Sequence, residues 1–114
     1  MICKRDVREL ESRLEVLVMH LLKWPYQPER RERGRRWRST IIEQRGRLQR
    51  LLAQSPSLHP QIPILVAEGY TRTRQRTLVE TGLTESVIPP TCPWSTGQSL
   101  DDAFWPEEAL RRQG

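Results

Sequence analysis

The chain has 114 residues, 29% of them charged, with a net charge of +5, a pI near 10.0 and a mean hydropathy of −0.68. This length suits one domain that buries about two-thirds of its unfolded surface. No long apolar run suggests a membrane span and no signal peptide precedes the first helical pattern, so the cytoplasm is the expected location and no membrane contact is expected.

Val7, Leu10, Leu14, Leu17, Leu21 and Trp24 follow the alternating three- and four-residue spacing that keeps side chains on one helix face. Val18 and Leu22 widen that face to an arc of roughly 160°, at about 100° per residue. Asp6, Glu9 and Glu11 sit where negative charge suits the helix dipole, and Pro25 predicts a stop at Trp24. Val16 and Met19 point away from the main face, so the run VLVMHLL is apolar nearly all round. Such a helix is buried on more than one side. Two later helices are expected to cover one broad face but not both, which leaves Val16 and Met19 as a candidate partner-binding patch.

Trp24-Pro25-Tyr26-Gln27-Pro28 reads as a stiff corner, because each proline fixes φ and removes a donor. From about Arg35 to Gln54 a second helix is predicted, with Trp37, Ile41, Leu48, Leu51 and Leu52 on one face and Ile42 outside it. Ser55-Pro56 resembles a helix cap followed by a proline at the first position. Pro60 and Pro63 predict an irregular first turn, with a regular third helix from about Ile64 to Thr81. Its inner face is Ile62, Leu65, Val66, Gly69, Tyr70, Thr73 and Thr77, and Gly82 is placed to end it. Beyond Leu83 the proline-rich stretch reads as an extended wrap in which Ser95-x-x-Gln98 matches a capping box. A short helix near 96–103 follows, with Trp94, Leu100, Phe104 and Trp105 as anchors. The expected fold is all-α: three principal helices in a small bundle over residues 1–82, and a proline-rich tail with a short helix over 83–114.

Several stretches together resemble the bacterial family catalogued as domain of unknown function 29. They are ELESRLEVLVMHLLKWPYQPERR, RRWRSTIIEQRGRLQRLLAQSPSL, the AEGY…ETGL helix and the CPWSTGQSLDDAFWPE tail. The resemblance implies a compact helical protein and supplies no catalytic residues, since no activity is established for the family. It also implies a preceding segment with a further helix, so the chain is expected to be shortened at its N-terminus. A shortened copy, a homodimer or a separately supplied helix would each account for the uncovered side of the first helix. Pro63 departs from the family pattern, which prefers a helix former there.

No catalytic constellation stands out. His20 and His59 lack clustered partners, Cys3 and Cys92 are far apart and read as free thiols, and there is no phosphate loop, nucleophile elbow or zinc-ligand pair. The chain is therefore not expected to be an enzyme or to bind a cofactor or metal. Charge is its most uneven property. Arg30 to Arg50 holds nine arginines against Glu32 and Glu43, whereas the end of the chain from Glu80 onward is acidic. Basic middle and acidic tail can attract each other, within one chain or between two. Arg30, Arg31, Arg33, Arg35, Arg36 and Arg38 form a candidate polyanion-binding segment, because guanidinium groups bind phosphate bidentately and stack on bases. On a helical wheel Arg38 and Arg45 flank one edge of the apolar face, Arg36 and Arg47 the other, and Arg35 and Arg50 the back, so the arginines surround the second helix instead of lining one stripe. The leading expectation is a non-catalytic module that self-associates or binds a protein partner through the first helix. Nucleic-acid binding through residues 30–50 is the alternative.

Overall fold

The computed structural model describes residues 3–26 and 34–106. Four α-helices follow in order: α1 (Lys4–Tyr26), α2 (Gly34–Gln54), α3 (Gln61–Thr81) and the short α4 (Thr96–Leu100). A turn of 3-10 helix, Pro56–Leu58, joins α2 to α3. The described residues contain no strand, as the all-helical reading requires.

Helix α1 is the shared partner. It packs along its length against both α2 and α3, which touch each other far less than either touches α1. Leu10, Leu14, Leu17 and Leu21 are buried in one cluster with Ile41, Leu48, Leu51 and Leu52 of α2, and with Leu58, Ile62 and Trp94. Val18 and Leu22 belong to a second cluster with Tyr70 of α3 and Ile88 of the tail. The two stripes diverge around one helix, and this is the physical use of its all-round apolar sequence. Burying each such side chain contributes about 1.5–3 kcal/mol.

Of the expected uncovered patch on α1, Met19 is covered, at 6% exposed, while Val16 is half-buried. Glu11, Glu15, Met19 and Lys23 form a single i, i+4 row, and its charged members all reach α3. Arg72 meets Glu11 at 3.2 Å and Glu15 at 3.5 Å; Arg76 meets Glu15 at 3.2 Å and Glu80 at 3.9 Å; Lys23 meets Glu80 at 2.6 Å. Met19 lies inside this zipper of three acids and three bases, on the side that α3 covers. The wheel missed this because α3 covers a stripe of α1 that α2 leaves free.

Two boundaries differ from the sequence reading. Helix α1 continues through Pro25 to Tyr26; one residue from the helix end, the lost N–H bond and the crowding of the proline ring against the carbonyl four residues back interrupt no further turn. Helix α3 begins at Gln61, three residues early, with Pro63 in its first turn, where backbone N–H groups lack helical partners in any case. Ser55 makes no side-chain cap; its hydroxyl instead donates to Asp6 Oδ2 at 3.3 Å. Gly82 ends α3 in the left-handed region, φ 71°, with its N–H on the Leu78 carbonyl. Thr73 and Thr77 are buried on the inner face, and each hydroxyl bonds the carbonyl four residues back, so neither burial strands a donor.

These contacts predict that Met19→Glu destabilises the subunit by about 3 kcal/mol, from lost apolar packing and a buried carboxylate. Urea denaturation at two protein concentrations checks it: the midpoint should fall equally at both, where loss of an assembly contact would make the fall concentration-dependent. His20 supplies a pH prediction. Burial lowers its pKa below 6.5, a fall that the Nδ1 hydrogen bond to the Val16 carbonyl at 2.8 Å partly offsets. The unfolded chain takes up this proton more readily, so the contribution of neutral His20 is complete above that value and declines as pH falls through it. The stability difference between about pH 7.5 and about pH 5.5 should shrink in His20→Gln.

Candidate functional site

The structure sorts the arginines of α2 by what they meet. Arg36, Arg47 and Arg50 are exposed, and with Glu43 they share the outer face of the helix by their spacing. Arg47 pairs with Glu43 at 2.9 Å. Arg38 and Arg45 turn instead toward the tail. Among the described residues, Arg36, Arg38 and Arg50 meet no carboxylate, in contrast to the neutralised Arg72 and Arg76 on α3.

Of the other candidate residues, Arg30, Arg31 and Arg33 lie outside the described residues, and Arg35 falls in the first turn of α2. Arg38 is exposed and its guanidinium lies 5.1 Å from the centroid of the Trp105 ring, a cation–π distance. Trp24 meets the same ring at 5.1 Å between centroids. Neither tryptophan is a free stacking platform for bases, since both pack against the main cluster.

Arg45 is the residue that sequence reasoning misjudged. It was expected at the edge of the apolar face, yet it is 0% exposed. Its Nε donates to the Ser99 carbonyl at 2.9 Å, and Nη2 donates to Phe104 at 2.9 Å and Gln98 at 3.5 Å. The guanidinium also lies 5.4 Å from the Trp105 ring centroid. Burial lowers its proton affinity, and Asp102 and Asp101 oppose that from nearby; a guanidinium stays charged regardless. One signal in the sequence points to this role: Arg45 sits four residues after Ile41 and three before Leu48, both of them core positions.

The capping box opens α4 as the pattern Ser95-x-x-Gln98 requires. Ser95 Oγ accepts from the Gln98 N–H at 3.1 Å, and Gln98 Oε1 accepts from the Ser95 N–H at 3.0 Å. Trp94 and Phe104 meet edge to face at 5.5 Å. A second arginine holds the start of the tail: Arg74 donates to the carbonyls of Glu85, Ile88 and Pro89 at 2.6–3.1 Å. Three buried donors have no acceptor, namely Trp24 Nε1, Arg45 Nη1 and Trp94 Nε1. Each such group costs about 1–3 kcal/mol. All three belong to the tail–bundle seam.

Among the described residues no three His, Cys, Asp or Glu side chains gather as a metal site. The groove of about 440 Å³ between α3 and the tail is lined by Pro63, Val66, Tyr70, Cys92 and Trp94. Its thiol is half-buried, donates to the Trp94 carbonyl at 3.4 Å and is pushed up in pKa by burial, which keeps it protonated. Both cysteines are free. No helix among the described residues is long and apolar enough to cross a membrane.

Arg45→Met should therefore strand the Ser99 and Phe104 carbonyls and lower stability by about 2–3 kcal/mol. Arg45→Lys should recover only part of it, because a point charge cannot reach all three carbonyls in the fork geometry. Urea denaturation and amide exchange across 96–104 read both effects.

Comparison with protein families matches residues 1–105 to the Domain of unknown function DUF29. No curated protein and no solved structure matches the chain. With almost its entire length inside that match, the chain belongs to the DUF29 family.

Proposed function

We propose that the chain is a non-catalytic binding module whose contact surface is the outer face of α2, and that its partner is a polyanion such as nucleic acid. One observation carries this reading: Lys23, Arg72 and Arg76 are paired between α1 and α3, whereas on α2 Arg36 and Arg50 of the outer face, and Arg38 on the flank beside it, are exposed and meet no carboxylate among the described residues. An unpaired basic face is the electrostatic footprint of a partner that neutralises phosphates. Self-association through α1 has less to drive it, because Met19 is enclosed and the remaining apolar exposure is scattered over Ile42, Ile64, Val79 and Val87.

The contacts are few, so the affinity should be modest and steeply salt-dependent. With three phosphate contacts the slope of log K against log salt should be about −2 for a single strand. Fluorescence anisotropy with short labelled DNA and RNA strands measures it. Arg36→Glu with Arg50→Glu should weaken binding at least tenfold, about 1.4 kcal/mol, and flatten the slope while leaving the helical circular dichroism signal unchanged. Absence of binding at low salt by the unaltered chain would end this reading.

A further inference from the structure

We propose that residues 95–106 are an autoinhibitory strap, which covers the flank of α2 that carries Arg38 and Arg45, beside the exposed face of Arg36, Arg47 and Arg50, and competes there with an anionic strand that would extend around the helix. The inference rests on the polyanion reading of α2 and assigns it a regulation. Arg38, Arg45 and Gln49 lie at i, i+7 and i+11, one side of the helix, and the strap engages all three. Trp105 lies against Arg38 and Arg45; the carbonyls of Gln98, Ser99 and Phe104 take the Arg45 donors; Gln49 Nε2 donates to the Leu100 carbonyl at 3.4 Å and to Asp102 Oδ1 at 3.3 Å. The strap thus presents to α2 what a nucleic-acid strand would present: a row of oxygen acceptors, negative charge from Asp101 and Asp102, and an aromatic plane.

A second observation bears on whether the strap can leave. The seam contains all three orphaned donors found among the described residues, two on the bundle (Trp24 Nε1 and Arg45 Nη1) and one on the tail (Trp94 Nε1). Lifting the strap gives those at the bundle face to water, and gives Arg45 Nη1 a phosphate oxygen if a strand replaces it. The closed state is held by aromatic packing and carbonyl contacts and opposed by its own unsatisfied groups. Release would free Arg45 and lift the Trp105 ring from the already exposed Arg38, which extends the row begun by Arg36, Arg47 and Arg50.

The test uses the complete chain, a short labelled single-stranded DNA at low salt, and amide hydrogen exchange across 96–104. Binding and strap docking must be reciprocally coupled, so DNA should speed exchange of the strap amides in the unaltered chain. Trp105→Ala, which removes the ring, should tighten binding by about tenfold, within the usual range for coupled sites. Asp102→Asn, an exposed change that leaves the packing in place, should tighten it by about two- to threefold through lost repulsion, and it decides the matter if Trp105→Ala does not fold. Faster strap exchange with unchanged or weaker affinity would overturn the strap and leave the α2 surface standing. If the unaltered chain does not bind at low salt, both inferences fall together.

Discussion

Everything in this fold depends on how α1 is enclosed. A helix with apolar side chains around most of its circumference can persist in water only if several elements share the work of covering it. Here α2 takes the stripe of Leu10, Leu14, Leu17 and Leu21, while α3 takes Val18 and Leu22 with Tyr70. The ion-pair zipper from Glu11 to Lys23 lies over the row that contains Met19. The central position of α1 therefore sets where the other two helices go. It also leaves their outer faces to solvent, which is how α2 comes to present its arginines.

The tail extends the same logic with a different chemistry. Its anchors are aromatic, but its backbone is held by charge. Arg45 and Arg74 each spread a planar guanidinium over several main-chain carbonyls, a task for which the fork of donors is better suited than an ammonium group. The buried cation at Arg45 has carbonyl dipoles and the Trp105 ring in place of a carboxylate at contact distance. That arrangement satisfies most of its donors and leaves Nη1 without an acceptor. A seam built this way is specific in geometry yet incomplete in its hydrogen bonding, and the regulatory reading of the strap grows from that combination.

Much of the architecture was legible from local rules. Helix type and approximate extent followed from periodicity, the end of α3 from Gly82, and the start of α4 from the Ser95–Gln98 box, because each is decided within a few residues of chain. The two misplaced side chains, Met19 and Arg45, have one source. The helical wheel of α1 could say that Met19 needed cover but not which element supplied it, and the wheel of α2 placed Arg45 at an edge that the returning tail then closed.

The sequence alone determined the number and kind of elements, the apolar faces, the aromatic anchors and the uneven charge, all of which are encoded by residue type at short spacing. Only the tertiary structure decided that α2 and α3 cover different stripes of α1, that Arg45 is interior, and that Arg36, Arg47 and Arg50 share the exposed face of α2. The physical reason is that burial and pairing of a charged side chain depend on partners far away in sequence. Arg45 and Ser99 are 54 positions apart, and Arg72 and Glu11 are 61 apart. No periodicity within a single helix records such a distance.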